Sequence, residues 1–531
     1  MKHNFKKLSI SLMATALLVI ASSAPAAITS VFDTVTGGLS ISTDAAENVS
    51  IVVDSGLIKI NGSNPLVGGL NTDVPTTGIV SISFLGSADV DSLDLSTLQV
   101  TSFPVLNSVI LNTAGGNDTI LGGGLVESII PGPGADTVNA GAGNDTITWN
   151  NGDGTDVVDG GQGTDVQVVS GASGGTGDVF TLAASGANAF FERTNFGLFS
   201  VTTSAVETFE VNSLADNDLF TVGNLAGTGV ANVTFTGGPG TDTLDGTGSS
   251  TPLRSIWNGG DGSDVVLGGS ATDVQVVNGS SGTTGDVMTI VASAQNAVFE
   301  RTNLVPFSVT TDDIEVMEVN GFAGNDSLTV GSLSSTGVTG VTFVGGQGSD
   351  TLTGTSTSTS LTSVWNNGDG TDVFFAGSGT DVQIVNGSNS ADDTFLLSSL
   401  ADQGFFQRTN LVPFSITTEE VDEFFINGLG GNENITVSDL SATSVTSVSI
   451  NGGEGDEILQ VLSNANTSMF IDGGNNGVTG DSLTLDVHGV TPNQSISPIQ
   501  VGTDQPVIFQ NIEEFGVINT PSRIEDFQVF E

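Results

Sequence analysis

The chain has 531 residues, of which 59 are Asp or Glu and only 9 are Lys or Arg, so its formal charge is −50. Such a charge repels nucleic acid and anionic lipid headgroups, and it attracts divalent cations. The apolar content of 37% is too high for a disordered acidic chain, and the lack of cysteine excludes disulfides and thiolate chemistry. Composition therefore predicts a folded, strongly acidic protein that does not bind nucleic acid.

Residues 1–27 have the pattern of an export signal peptide. Three lysines among the first seven residues precede an apolar run from 8 to 21, and small residues at 24–26 offer a cleavage site. The alternative, a membrane anchor, is disfavoured because this run is too short to span a bilayer comfortably. Cleavage would leave a mature chain with no membrane span and a charge of −53, since the three lysines are lost. We expect a secreted, extracellular or cell-surface protein.

The next two regions differ in how dense their turns are. Residues 28–113 contain irregular β-like runs, such as SIVVDSGLIKING and GIVSISFLG, and are predicted to form an N-terminal β cap. Residues 114–168 are the richest in glycine turns. This tract overlaps the start of the first repeat described below.

Within residues 114–168 the acids are closely and regularly spaced. Four stand nine residues apart, an eleven-residue step follows, and the last step is again nine; they are Asp118, Glu127, Asp136, Asp145, Asp156 and Asp165. Each acid ends a turn, as in PGPGADTVN and GGQGTDVQV, and precedes an apolar side chain. Glycine permits positive φ, so such turns can aim carbonyl groups inward, and Ca²⁺ takes about six to eight oxygen ligands.

Beyond this tract the sequence repeats with a stride of 108 residues. Three nearly identical segments, WNNGDGTDV, WNGGDGSDV and WNNGDGTDV, begin at Trp149, Trp257 and Trp365. Such self-similarity indicates stacked supersecondary units. The predicted domains are repeat 1, repeat 2, repeat 3 and a degenerate C-terminal repeat or cap, at 149–256, 257–364, 365–471 and 472–531.

The acidic turn recurs inside the blocks, at Asp242, Asp264, Asp273, Asp350, Asp372 and Asp381. Between turns the pattern is β, with short runs rich in Val, Phe, Thr and Ile. We therefore predict an all-β protein, a right-handed parallel β-solenoid (β-helix or β-roll) built from three repeats of about 108 residues. The alternative is a string of separate β-sandwiches. The step of 40 from Asp178 to Asp218 is interpreted as two rungs whose shared corner carries Asn195, which makes five rungs in each block.

The turns of residues 114–168 resemble the G-G-x-G-x-D-x-U-x nonapeptide of haemolysin-type (RTX) calcium-binding proteins. The blocks are similar to repeats in large bacterial calcium-binding surface proteins. The resemblance implies that turns two nonapeptides apart stack and trap Ca²⁺, which pairs Asp118 with Asp136 and Glu127 with Asp145. It implies metal ligation by all twelve acids named above, with Ca²⁺ as the cofactor. The chain departs from the RTX family in its N-terminal export signal, and the tract covers only 55 of 531 residues.

Three arginines and three tryptophans recur with the blocks. Arg193, Arg301 and Arg408 are predicted to neutralise nearby acids or to lie over a phenylalanine such as Phe191, Phe299 or Phe406. The alternative for these arginines is contact with anions or sugars. The tryptophans are predicted to fill the same core or corner site in each block. His488, the single histidine after the signal, is expected to be structural or solvated.

These patterns predict an exported calcium-binding β-solenoid that folds or stiffens on binding Ca²⁺. Its expected role is structural or adhesive, as a surface-layer, matrix or adhesin-like component. Calcium ions are the predicted partners, with surface glycans or other copies of the chain as open alternatives. We do not expect an enzyme, because no nucleophile arrangement or phosphate loop is present. The alternatives are a passive acidic rod and a secreted carbohydrate-active enzyme, similar to polysaccharide lyases and epimerases, on the same scaffold.

Overall fold

The computed structural model describes residues 27–518, except 196, 198, 355, 356 and 488–496. The described part of the chain consists of strands and turns, with two short 3-10 turns at Thr76–Gly78 and Val100–Ser102 as its helical elements. No helix in that part is long and apolar enough to cross a membrane. The export signal predicted for 1–27 lies outside the described residues except for its last position, and His488 lies outside them too.

The chain forms two compact units, an N-terminal one from 27 to 257 with 261–274 and a C-terminal one from 275 to 518 with 258–260. The strands wholly or mainly in the N-terminal unit are β1 Thr29–Asp33, β2 Gly38–Ser42, β3 Asn48–Asp54, β4 Leu57–Ile60, β5 Leu66–Val67, β6 Leu70–Asn71, β7 Ser81–Leu85, β8 Ser92–Asp94, β9 Ser108–Asn112, β10 Thr119–Leu121, β11 Glu127–Ile130, β12 Thr137–Asn139, β13 Thr146–Asn150, β14 Thr155–Asp159, β15 Val166–Ser170, β16 Val179–Ser185, β17 Asn188–Arg193, β18 Phe199–Ser204, β19 Thr208–Asn212, β20 Leu219–Val222, β21 Asn232–Thr236, β22 Thr243–Asp245, β23 Leu253–Asn258 and β24 Ser263–Leu267.

The strands wholly or mainly in the C-terminal unit are β25 Val274–Asn278, β26 Val287–Ser293, β27 Asn296–Arg301, β28 Phe307–Asp312, β29 Val316–Asn320, β30 Ser327–Val330, β31 Gly340–Val344, β32 Thr351–Gly354, β33 Ser360–Trp365, β34 Asp372–Phe375, β35 Val382–Asn386, β36 Thr394–Leu400, β37 Gln403–Arg408, β38 Phe414–Glu419, β39 Glu423–Asn427, β40 Asn434–Val437, β41 Ser447–Asn451, β42 Glu454–Gly455, β43 Ile458–Leu462, β44 Ser468–Asp472, β45 Asn475–Asn476, β46 Ser482–Asp486, β47 Val507–Gln510 and β48 Glu514–Ile518.

In each unit the chain alternates between two sheets of mainly parallel strands. In the N-terminal unit the first sheet runs β2-β7-β9-β11-β13-β15-β19-β21-β23 and the second runs β3-β8-β10-β12-β14-β18-β17-β16-β20-β22-β24. In the C-terminal unit the first sheet runs β29-β31-β33-β35-β39-β41-β44-β47 and the second runs β28-β27-β26-β30-β32-β34-β38-β37-β36-β40-β43-β46-β48. The predicted all-β parallel solenoid is confirmed.

The core lies between the two sheets of each unit, because apolar residues alternate along the strands. In β13, for example, Ile147 and Trp149 are buried while the residues between them are half-buried. The three block-head tryptophans are at most 1% exposed, so the prediction that they fill a core site is confirmed. Trp149 contacts Phe199 and Phe191, and the aromatic cluster fills the space between the sheets.

An antiparallel meander interrupts the coil once in each block, and the prediction of five rungs was wrong. β16, β17 and β18 pair in antiparallel order, as do β26–β28 and β36–β38. The amide of Asp178 donates to Oδ1 of Asp218 at 2.6 Å, so the 40-residue interval is one step. Asn195 lies at the corner of Asp178 and not at a rung of its own; its Oδ1 accepts from the Val179 amide.

Glycine is required where the turns of successive rungs stack. A Cβ added at Gly370 would lie 1.5 Å from the carbonyl oxygen of Gly348, whereas one added at Gly340 would meet nothing within 4 Å. We expect Gly370→Ala to destabilise the protein by about 1–3 kcal/mol through overpacking, and Gly340→Ala to change stability by less than about 0.5 kcal/mol. Urea and thermal unfolding followed by circular dichroism measure both. Equal stabilities for the two variants would contradict the close stacking of the turns.

Candidate metal centre: two ladders of buried acids

A first ladder of acids follows the corner at which the chain enters the second sheet. The amide of Asp91 donates to Oδ1 of Asp118 at 2.7 Å, and the amide of Asp118 donates to Oδ1 of Asp136 at 2.6 Å. Asp136 donates in the same way to Asp156 at 2.8 Å. After the meander the N-terminal unit continues this first ladder with Asp178, Asp218, Asp242 and Asp264.

The C-terminal unit repeats the arrangement. The amides of Asp286 and Asp326 donate to the acid of the following rung at 2.6 and 2.7 Å, and the amide of Asp350 donates to Oδ1 of Asp372 at 2.7 Å. A further run in strand register consists of Asp393, Glu433, Glu457, Asp481 and Glu513.

A second ladder lies at the corner that leads into the first sheet. The amides of Glu127 and Asp145 donate to Oδ1 of Asp145 and Asp165, each at 2.8 Å, and the amide of Asp165 donates to Oε2 of Glu207 at 2.8 Å. Asp273 in the N-terminal unit and Asp381 in the C-terminal unit occupy equivalent corners, which we assign to the second ladder, and they accept the amides of Leu253 and Leu361.

All twelve acids proposed from the sequence therefore lie on the two ladders. Those on the first are Asp118, Asp136, Asp156, Asp242, Asp264, Asp350 and Asp372, and those on the second are Glu127, Asp145, Asp165, Asp273 and Asp381. The pairs that the resemblance implied, Asp118 with Asp136 and Glu127 with Asp145, are immediate neighbours.

Most ladder acids, apart from Glu433 and Glu457, already accept a backbone amide. An amide at the corner precedes the regular strand pairing and would be buried without an acceptor, so the carboxylate of the next rung accepts it. The carbonyl group of the same acid joins the ladder of the sheet; that of Asp118, for example, accepts the amide of Thr137 at 2.9 Å. The corner thus places acids of like charge one strand spacing apart, about 4.8 Å.

Burial leaves many of these carboxylates with an oxygen that has no donor. Eleven of the twelve predicted acids are at most 3% exposed, and Asp372 is half-buried. The Oδ2 atoms of several ladder acids are buried and accept no hydrogen bond from any described residue; they belong to Asp136, Asp165, Asp242, Asp264, Asp326 and Asp350. A buried acceptor in this state favours a proton or a cation beside it.

Burial also raises the pKa values of the ladder acids. It raises the pKa of Asp136, Asp242 and Asp350 to about 7 in each case, and the charges of neighbouring ladder acids add to the effect. On the second ladder, burial and contact with the Asp145 carboxyl raise the pKa of Glu127 to about 9. Several of these carboxyls therefore hold a proton near neutral pH unless another positive charge replaces it.

Sequence reasoning missed a further set of buried acids at the block heads. They are Asp153, Asp261 and Asp369, the first of the two acids in each NGDGTD-like segment, and they are at most 8% exposed. Oδ2 of Asp153 accepts the amide of Asn150 at 2.6 Å; burial, with a smaller contribution from the charge of Asp153, raises the pKa of Asp156 to about 6. The signal was present, because each segment contains two acids, but only the second acid was assigned.

Other ladder members were also not proposed as ligands; their turns lack the full glycine pattern, except that of Glu457, whose segment GGEGDEIL matches it. They are Asp91, Asp178, Glu207, Asp218, Asp286, Asp326, Asp393, Asp422, Glu433, Glu457, Asp481 and Glu513. Several of them had served only to count rungs or to mark a possible turn. The signal that identifies them is an acid directly before a β-run.

The recurring arginines bind ladder acids, as predicted. Nη1 of Arg193, Arg301 and Arg408 lies 3.0, 3.3 and 3.2 Å from Oδ1 of an acid, and the acids are Asp178, Asp286 and Asp393. The aromatic partners differ from those suggested. The guanidinium groups lie over Phe199, Phe307 and Phe414 rather than Phe191, Phe299 and Phe406. Phe199 is directly opposite Arg193 in the antiparallel pair, which accounts for the contact.

The ladders offer a cation some but not all of the ligands that Ca²⁺ requires. The orphaned Oδ2 atoms and the stacked negative charge suit a divalent cation that bridges neighbouring acids. The turn carbonyls are partly engaged; those of Gly123 and Gly141 accept the amides of Ala142 and Gln162. Among the described residues, no three His, Cys, Asp or Glu side chains are grouped so that they could hold a metal ion.

Comparison with known proteins adds no family: neither a protein-family model nor a curated protein matches the chain. The likeness of residues 114–168 to the RTX nonapeptide therefore depends on the residues and turns themselves.

The raised pKa values predict that stability without metal falls as pH rises. A folded-state pKa above the unfolded value near 3.8 stabilises the fold below that value, and this contribution is lost as pH rises through about 7 to 8. We expect the melting temperature in EDTA, at constant ionic strength, to decrease from pH 5 to pH 8.

A triple variant separates the ladders from the general surface charge. Replacing Asp136, Asp242 and Asp350 by Asn should flatten the pH dependence, because the amide oxygen still accepts the corner N–H and no proton is needed. The matched control replaces the exposed Asp54, Asp89 and Asp402 by Asn, which changes the net charge equally. Equal slopes for the two triple variants would show that the ladders do not cause the effect.

Proposed function

We propose that the protein is an exported, calcium-stabilised β-solenoid with a structural or adhesive role at the cell surface or in the extracellular matrix. The observation that carries this proposal is the pair of acid ladders, in which stacked, buried carboxylates keep oxygens that no donor satisfies. A cation is the partner that removes both the repulsion and the unsatisfied acceptors.

In this proposal the described residues orient the carboxylates, and the ion supplies the positive charge. The corner amides hold Oδ1 of each acid, as between Asp118 and Asp136, and so fix the carboxylate in one orientation. Bound Ca²⁺ would supply positive charge between adjacent acids of a ladder. Because the ladders exist only in the folded chain, binding would stabilise the fold, and extracellular calcium sites commonly bind at about 10⁻⁴ to 10⁻³ M.

A scaffold is favoured over an enzyme by the distribution of contacts. The same corner bonds recur through all three blocks, whereas an active site is needed only once. A lyase or epimerase for acidic glycans needs cationic groups for its substrate, yet Arg193, Arg301 and Arg408 are at most 5% exposed and bound to acids. Surface glycans or other copies of the chain remain the partners that we propose for an adhesive role.

The test is a calcium titration of the mature chain, from EDTA to about 10 mM CaCl₂ with Mg²⁺ as control, which covers the usual range of extracellular sites. We expect a cooperative, Ca²⁺-selective gain of β signal in far-UV circular dichroism and a smaller hydrodynamic radius on size exclusion. A chain that is fully folded in EDTA and does not respond to calcium would contradict the proposal and would mean that the ladder acids serve only to accept backbone amides.

The triple variant Asp118→Asn, Asp136→Asn, Asp145→Asn should lose much of the calcium response, because it removes three charges from neighbouring turns of both ladders. Replacing the exposed Asp54, Asp89 and Asp402 by Asn is the matched control and should leave the response intact. If both variants respond like the unaltered chain, residues 114–168 do not contain the calcium sites.

A further inference from the structure

Three acids of the first ladder differ from the others in having an arginine bound to Oδ1 and a local amide bound to Oδ2. Oδ1 of Asp393 accepts from Nη1 of Arg408 at 3.2 Å, and its Oδ2 accepts the amide of Ser388 at 2.6 Å. Asp178 is bound in the same manner by Arg193 and the amide of Ala172. Asp286, with Arg301 and the amide of Ser280, repeats the arrangement, so every block contains it.

The guanidinium binds the first acid after the antiparallel strands directly. Elsewhere on the first ladder, Oδ1 accepts the amide of the preceding rung; at these three acids the arginine takes that place. In the strand registers Phe414 on β38 lies opposite Arg408 on β37, and Arg408 lies opposite Phe395 on β36, two residues after Asp393. The meander thus places two strands between β34, which carries Asp372, and β36, which follows Asp393, and so separates two runs of acids.

The guanidinium is enclosed by oxygen atoms of the types that hard cations bind. Besides Asp393, Nη1 of Arg408 donates to Oδ1 of Asn367 at 2.7 Å. Its Nε and Nη2 donate to the carbonyl oxygen of Val412 at 3.1 and 2.8 Å. A carboxylate, an amide carbonyl and a backbone carbonyl therefore surround one buried charge, and these groups are also Ca²⁺ ligands.

Arg193 lies in an oxygen cage of the same kind in its own block. Its Nη1 donates to Oδ1 of Asn151 at 2.7 Å, and its Nε and Nη2 donate to the carbonyl oxygen of Gly197. The ring of Phe199 lies 4.2 Å from the guanidinium carbon and closes one side. The recurrence of this cage in two blocks, 215 residues apart from Arg193 to Arg408, indicates a site that the repeat preserves as a unit.

We propose that Arg193 and Arg408 are built-in cations that occupy oxygen cages suited to a divalent ion. At Arg301 the position of Asn151 and Asn367 is Gly259, so the cage there lacks that oxygen. Each of the two arginines closes its cage to external ions, and the meander that carries it separates two runs of ladder acids, so that ions bind each run separately. Replacing the arginine by a neutral side chain opens the cage as a new divalent-cation site. The separate binding of runs rests on the proposed function; the cage itself does not.

The experiment counts the calcium ions bound to the full chain, by equilibrium dialysis with radioactive calcium after treatment with EDTA. We expect Arg408→Met to bind one ion more than the unaltered chain and Arg193→Met/Arg408→Met to bind two more. Arg408→Lys keeps the charge and should bind the unaltered number. Arg254→Met removes an arginine from the half-buried, solvent-facing side of β23 and should also leave the number unchanged.

The outcomes separate this inference from the proposed function. If the unaltered chain binds no calcium, the proposed function fails, yet one ion bound by Arg408→Met still supports the cage. A variant that folds only when calcium is present, judged by circular dichroism, also supports it. A folded Arg408→Met chain that binds no additional ion overturns the inference. A variant that stays unfolded with and without calcium overturns it too, because the ion then cannot replace the guanidinium.

Discussion

The hydrogen bond from each corner amide to the carboxylate of the next rung is the interaction on which the rest of the structure depends. It satisfies a backbone donor that the strands cannot reach, and it recurs at nearly the same place from coil to coil, except where an arginine or a glutamate interrupts the series. Its consequence is a column of buried, like-charged groups one strand spacing apart. The negative charges of these buried carboxylates must then be neutralised, because burial and mutual repulsion disfavour the ionised form.

Three sources of positive charge can meet that requirement, and they are not equivalent. Protons neutralise single carboxyls, which accounts for the direction in which the pKa values of Asp136 and Asp242 move. A divalent cation would neutralise two neighbours at once and couple the fold to the surrounding medium. The arginines neutralise one acid in each block permanently, and a buried charge pair of this kind is strongly destabilised when one partner is removed.

The antiparallel meander explains why an arginine is available at that position. It adds strands to the second sheet only, and its last two strands bring Arg193 opposite Phe199. The aromatic side chains of the meander fill the core beside Trp149. In each block the recurring arginine thus binds one ladder acid beside an aromatic core.

The sequence by itself determined the fold class, the repeat and the positions of the twelve acids, because these depend on local periodicity. An acid before each β-run and alternating burial along each strand are visible in a single stretch of chain. Only the tertiary structure decided the meander, since its strands alternate apolar and polar residues as the parallel ones do. It also decided the burial of Asp153 and the partner of Arg408, because stacking joins Asn367 and Asp393 to that arginine from 41 and 15 residues away. Contacts made by stacking depend on which rungs are neighbours, and the spacing of residues along the chain does not specify that.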